Sequence, residues 1–193
     1  MTTLTRTAKF SLADYHRMID AGILDHRKVE LIEGEIVEMS PSGDPHYFSI
    51  WDMLILFQEH VPQQGFVTVS QSPIALPKQD SEPEPDFYVA RKVLPGRQTK
   101  PTPESLVLVV EVSESTLAYD RRVKLPLYAR AGIAEFWIVN LIDDCIEVYR
   151  SPDQTSGTYA EKRVVARGES IHPLAFPDFE VHASAILPRK EAP

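Results

Sequence analysis

Cysteine is nearly absent from this sequence; Cys145 is the only one. A single thiol cannot close an internal disulfide, and it excludes a cysteine-rich metal site. Long apolar runs are missing too, and none approaches the ~20 residues that a membrane-spanning helix needs. Residues 1–9 carry no apolar segment of the signal-peptide kind, so export is not expected and the reading is a cytoplasmic protein off the membrane. Positive charge is in deficit, with 20 Lys and Arg against 28 Asp and Glu and a net charge of −8. That argues against a broad basic surface gripping nucleic acid, because neutralising phosphates takes clustered cations. It leaves room for a small site in which a divalent cation supplies the positive charge. The local basic clusters, Arg91-Lys92, Arg97 to Lys100 and Arg121-Arg122 with Lys124, read first as solvated faces.

What is present is an ordinary globular composition, 43% apolar and 25% charged over 193 residues, enough for one domain with a sizeable core. No internal repeat or linker divides it, so a single domain over 1–193 is expected, with 1–9 and 188–193 flexible. Its most informative stretch is Leu106-Val107-Leu108-Val109-Val110-Glu111-Val112-Ser113. A run of β-branched residues and leucine of this length predicts a strand covered on both faces. A carboxylate inside it is unfavourable unless paired, hydrogen-bonded or bound to metal. Glu111 is therefore either a metal ligand or a strand-end acid paired with an Arg or Lys.

Around this strand the remaining elements fall into place. Ser11 caps a predicted helix from Leu12 to Ala21 that buries Leu12, Tyr15, Ile19 and Met18. Residues 28–32 and 35–39, separated by Glu33-Gly34, predict a hairpin. Asp44-Pro45 predicts a cap and first turn of a helix reaching His60, with Tyr47, Trp51 and Leu54 among its buried residues and His46 in its first turn. Strands are expected at 66–70, 74–76, 86–90, 133–141 and 145–150, with an edge strand at 158–165. A helix interrupted by Pro126 and ended by Gly132 follows the long strand. The strand-helix-strand unit from Leu106 to Leu141 predicts a parallel crossover within a mixed sheet, an α/β or α+β domain.

Asp86 opens one strand and Glu111 lies near the end of another. If these strands are antiparallel neighbours, the two carboxylates meet. Such a pair suits Mg²⁺, with Mn²⁺ as the alternative, and the backbone carbonyl of Val112 could add an oxygen. A metal so held polarises a phosphoryl oxygen and neutralises developing charge. Ser113 stands where a Glu-x-Lys motif would have its lysine. Lys124 is the nearest substitute, sharing a helical face with Asp120 and Tyr128. The competing reading is an Asp120–Lys124 surface pair worth about 0.3–0.5 kcal/mol.

Three stretches carry a family resemblance: VELIEGEIVEMSPSGDPH (29–46), QSPIAL with EPEPD (71–86), and LVVEVSESTLAYDRRVKLPLYARAGIAEFWIVN (108–140). They resemble the Uma-two family of restriction-endonuclease-like proteins in the PD-(D/E)XK nuclease superfamily. The resemblance implies a restriction-endonuclease-like fold, a mixed central sheet flanked by helices, here with an extra N-terminal hairpin and a C-terminal hairpin. It also implies Mg²⁺-dependent endonucleolytic cleavage of DNA. Pro85-Asp86 matches the superfamily's PD, Glu111 its second acid, and Lys124 the displaced lysine. Glu30 and His46 match further polar positions near the pocket. The resemblance and the edge strand also make a homodimer plausible. Two other readings stay open: a binding module for nucleic acid or protein that keeps the fold without catalysis, and a hydrolase using two acids about 5–9.5 Å apart, as glycosidases do.

Overall fold

A computed structural model describes residues 7–40, 43–92 and 99–189. The expected loose termini and the Arg97 end of one basic cluster lie wholly or partly outside these residues. Helix α1 (Leu12–Asp20) starts at Ser11, whose Oγ accepts from the Asp14 backbone while Asp14 answers the Ser11 N–H. The Ser11 cap is the signal read in the sequence; the answering Asp14 carboxylate, which completes a capping box, was not part of that reading. Only Tyr15 of its expected apolar stripe is buried, and Ile19 is exposed; among the described residues nothing covers that side.

Strands β1 (Val29–Ile32) and β2 (Glu35–Glu38) form the predicted hairpin. Glu33 and Gly34 both take positive φ in its two-residue turn, the geometry that suits strand twist. Reciprocal Leu31–Glu82 backbone bonds moor the hairpin to the segment leading into the fourth strand. A Cβ on Gly34 would lie 2.8 Å from Lys9 Cβ and 3.0 Å from the Phe10 carbonyl. Gly34→Ala is therefore expected to cost about 1–2 kcal/mol, read as a lower urea midpoint at unchanged slope.

Helix α2 (Asp44–His60) departs from expectation in two ways. Its N-cap is Gly43, with no side-chain cap, so Asp44 sits inside the first turn, where its charge complements the helix dipole. The buried face carries His46, Ser49, Ile50, Met53 and Phe57, whereas Tyr47, Trp51 and Ile55 face solvent. The helix is apolar on both sides, so periodicity could not choose between them.

The central sheet orders its strands β3 (Phe66–Ser70), β4 (Phe87–Arg91), β5 (Leu106–Ser113), β6 (Glu135–Asn140), β7 (Cys145–Asp153) and β8 (Thr158–Ala166). Only β5 and β6 run parallel, joined by the predicted crossover. The β7–β8 hairpin extends the sheet to its edge. The strand expected at 74–76 does not form. Pro73 and Pro77 flank it and remove ladder donors, and its backbone instead bonds Pro83 and Pro101. β5 is buried at all eight positions. Leu108, Val110 and Val112 join α2 and the C-terminal segment in one core, and Val109 packs with Tyr128 and Phe136 in the other. A large apolar side chain so buried contributes of order 1.5–3 kcal/mol, which offsets the cost of one carboxylate in the strand.

The crossover comprises α3 (Leu117–Tyr119), a π-helical turn (Asp120–Lys124) and α4 (Leu125–Ala131). Pro126 has no N–H to give and crowds the carbonyl four residues back, so the helix widens just before it. Gly132 ends α4 at φ 79°. Arg121 anchors the widened turn to the buried Glu147 on β7, with Nε 3.3 Å from Oε2. Burial pushes the Glu147 carboxyl up, but the bonds from Arg121, Lys162, Tyr149 and Asn140 outweigh it and hold the pKa at about 2. A two-stranded sheet of β9 (Ser170–Ile171) and β10 (Val181–His182) closes the chain.

Candidate metal and catalytic site

β4 and β5 are antiparallel, with Phe87 opposite Val110. Asp86 and Glu111, one step beyond that pair, are thus brought to the same sheet end. The Asp86 N–H points at Glu111 Oε2, 3.4 Å away, and the Val112 N–H donates to Asp86 Oδ2 at 2.8 Å. The two backbone groups of a strand residue face the same side, so the Val112 carbonyl lies on the same edge of β5 as its N–H. His46, from the first turn of α2, places Nε2 3.0 Å from Asp86 Oδ2. A ring nitrogen facing a carboxylate carries the proton. His46 Nδ1 is buried and has no hydrogen-bond partner among the described residues.

From the crossover, Lys124 reaches the same place. It is 3% exposed, so it is no surface residue. Its Nζ lies 2.6 Å from Glu30 Oε2 and 3.3 Å from Glu111 Oε1. Tyr128 Oη donates to Glu111 Oε1 at 2.6 Å, and Tyr119 Oη lies 3.4 Å from Glu30 Oε1. All five side chains singled out in the sequence, Asp86, Glu111, Lys124, Glu30 and His46, line one cleft of about 380 Å³ together with Val112.

Asp120 was read only as the surface partner of Lys124. It is instead buried, accepts from Ser113 Oγ at 2.7 Å and lines the cleft. Ser113 thus serves the neighbouring acid from the position of the missing lysine. The four-residue spacing of Asp120, Lys124 and Tyr128 was the available signal; that this face turns inward depends on packing.

The cleft is strongly acidic. Glu38, Glu84 and Glu114 add to Glu30, Asp86, Glu111 and Asp120, and among the described lining residues only Lys124 and His46 are basic. Arg27 and Lys28 answer Glu38 and Glu84 from 3.7 and 3.6 Å. Burial, together with Asp86 and Asp120, raises the Glu111 pKa well above the carboxylate range, although Lys124 and Tyr128 oppose that. Burial also raises Asp120. For Lys124, burial favours the neutral amine, but Glu111 and Glu30 outweigh it and keep the ammonium charged.

These shifts set a pH dependence. A carboxyl with a raised folded pKa binds a proton that the unfolded chain has released, so stability falls as pH rises from its ordinary value through the raised one. In EDTA the protein is therefore expected to melt at a higher temperature near pH 5 than near pH 8. Divalent metal is expected to narrow that gap, as scanning fluorimetry at both pH values will show.

Among the described residues, no three His, Cys, Asp or Glu side chains are grouped so as to enclose a metal by themselves. A cation here would rest on two carboxylates and a backbone oxygen and retain waters, which suits Mg²⁺ better than a softer metal. Asp86 uses only Oδ2 in the bonds above, and the contact to Glu111 Oε2 is long, so each acid has an oxygen to offer. The excess negative charge is of the sign that a divalent cation would neutralise.

Three comparisons bear on this site. A family model, Uma2, described as "Putative restriction endonuclease", matches residues 12–185. No curated protein matches the chain. A crystal structure from Anabaena variabilis ATCC 29413, described as "a putative nuclease belonging to DUF820", superposes with a TM-score of 0.69 at 14% identity, covering 92% of this chain and 97% of that one. At that identity the likeness establishes the shared nuclease-type fold. Among the described residues, no helix is long and apolar enough to cross a membrane.

Proposed function

This chain belongs to the Uma2 family, described as "Putative restriction endonuclease", and we propose that it is an Mg²⁺-dependent endonuclease hydrolysing DNA phosphodiester bonds. The observation carrying the proposal is a half-enclosed cleft in which seven carboxylates meet one lysine and one histidine. A phosphate diester would be repelled from such a cleft without a divalent cation.

In this reading Asp86, Glu111 and the Val112 carbonyl hold the metal. When bound it supplies Lewis-acid polarisation of the phosphoryl oxygen and neutralises developing negative charge. Lys124 orients the attacking water and steadies the charge gathering on the phosphoryl oxygens. Glu30 and Tyr119 fix that ammonium, while Tyr128 fixes Glu111. His46 holds Asp86 in orientation through Nε2. We read the chain as a single domain acting in the cytoplasm as a homodimer; the lone buried thiol suits a reducing compartment.

A glycosidase-type pair is disfavoured because Lys124 wedges 3.3 Å from one acid. The non-catalytic module has Ser113 in its favour, but the ammonium of Lys124 reaches Glu111 regardless. Incubation of purified protein with supercoiled plasmid and 5 mM-scale Mg²⁺ or Mn²⁺ (roughly the range that loads a two-carboxylate site) is expected to yield nicked and linear forms. EDTA abolishes them. Binding without cleavage, indifferent to chelator, would favour the module instead.

A further inference from the structure

Ser49 lies on the inner face of α2, 0% exposed, on the side that also carries Ile50, Met53 and Phe57. Serine is a poorer helix former than alanine, and a buried hydroxyl without a partner is unfavourable. Its Oγ has no hydrogen-bond partner among the described residues. It therefore does not make the return bond to the Pro45 carbonyl, one turn earlier, that a helical serine commonly makes. His46 Nδ1, three residues before it on the same buried face, is in the same condition. The two atoms are chemically complementary. His46 Nε2 presents its proton to Asp86 Oδ2 at 3.0 Å, which leaves Nδ1 of the neutral ring a lone pair and no hydrogen. A serine hydroxyl has a hydrogen to give. We infer that Ser49 is a positioning residue of the site: its hydroxyl donates to His46 Nδ1 and so holds the ring that orients Asp86. The inference rests on the nuclease reading for its use in catalysis, and on the chemistry of the two atoms for the bond itself.

Helix geometry brings the two within reach. Residues three apart are neighbours, with Cβ atoms about 5–6 Å from each other. Helical side chains lean toward the N-terminus, so Ser49 leans toward His46. Nδ1 adjoins Cγ and lies nearer the helix than Nε2, which reaches out to Asp86. A hydrogen bond of about 2.9 Å, added to the bonds from each Cβ to Oγ and to Nδ1, covers that separation. One staggered step of the Ser49 side chain makes it, with no movement of the backbone. Both atoms are shut off from solvent, so bulk water does not serve them. The consequence is felt at Asp86. Its Oδ2 accepts from the Val112 N–H at 2.8 Å and from His46 Nε2, which leaves Oδ1 for the proposed cation. The histidine χ2 well is broad and roughly twofold. A ring turned over about χ2 would offer Cε1 in place of Nε2 and drop the Asp86 bond. A hydrogen bond at Nδ1 opposes that turn. The competing explanation is that Ser49 is small only to let α2 approach the sheet. Alanine would serve that need equally well, so Ser49→Ala separates the two.

The test uses the full chain carrying ¹⁵N-labelled histidine, in EDTA at about pH 8, above the ordinary histidine range. His46→Gln identifies the His46 ring signals among the six histidines by their loss. In the wild type Nε2 should carry the proton, and Nδ1 should resonate as a hydrogen-bonded acceptor. Ser49→Ala should move Nδ1 downfield, toward the position of an unbonded ring nitrogen, and leave the other histidines unchanged. Titration calorimetry should show Mn²⁺ binding about 10-fold more weakly to Ser49→Ala than to wild type, the loss typical of a group that orients a metal ligand from outside. The variant should melt within about 4 °C of wild type. A proton on Nδ1 in the wild type overturns the inference, as does an Nδ1 signal indifferent to Ser49→Ala. An Mn²⁺ affinity that the substitution leaves unchanged overturns it equally. If Nδ1 moves and Mn²⁺ binding weakens, yet the wild type never nicks plasmid, Ser49 keeps its role at the site and the nuclease reading alone fails.

Discussion

Glu111→Gln and Asp86→Asn are expected to lose metal-dependent plasmid nicking by at least about 100-fold while the metal-free proteins melt no lower than wild type. The activity loss follows from removing a direct metal ligand, since even outer groups around a metal cost 10–100-fold when removed. The stability expectation has a separate cause. Glu111 is buried beside Asp86 and Asp120, and its raised pKa measures how poorly that charge is accommodated. An amide of the same shape keeps the Tyr128 bond and removes the excess charge. Loss of function without loss of stability is the mark of a site held in tension for its ligand. The checks are nicking rates in Mg²⁺ and melting curves in EDTA. Full nicking activity in either variant would remove the acid pair from the chemistry, and a marked drop in melting temperature would mean that these acids hold the fold instead.

Lys124→Met is expected to destabilise the protein by about 3–5 kcal/mol near pH 8, the second large effect. The ammonium lies within 3.3 Å of both Glu30 and Glu111, which are 3% and 4% exposed. Without it, two buried carboxylates lose their only shared cation among the described residues. The Glu111 carboxyl, already raised by burial, then loses the cation that opposes that rise, so the folded state takes up a proton that the unfolded chain does not, and stability falls as pH rises. The deficit relative to wild type should therefore shrink toward pH 5. Mg²⁺ should recover part of it at pH 8 by standing in for the missing charge. Urea titrations at both pH values decide the matter. A difference below about 0.5 kcal/mol would fit an exposed ion pair and contradict the buried cluster.

Particular residues show how much of this was legible beforehand. The Ser11 cap, the Glu33-Gly34 turn and the β-branched run of β5 are local signals, each with a local physical cause. They stand where the pattern put them. The meeting of Asp86 and Glu111 followed from one further step, that neighbouring strands are antiparallel. Failures came where two patterns were equally good. On α2, apolar residues encircle the helix, and the sheet buries the side bearing Ile50, Met53 and Phe57 rather than that of Trp51. At 74–76 an apolar triplet looked like a strand, and flanking prolines denied it the ladder.

Asp120 marks the boundary most clearly. Its spacing from Lys124 was visible, but whether the two form a solvated pair or parts of a buried acidic cleft turns on the π-helical turn before Pro126 and the Arg121–Glu147 anchor. Residue order alone settled most of the elements and turns and which acids end which strands, because those depend on backbone preferences over a few residues. Tertiary packing decided which helix faces turned inward, and so the burial, the excess charge and the 2.6 Å approach of Lys124 to Glu30 across 94 residues of chain. Burial and field strength belong to the assembled layers, and no short window of sequence contains them.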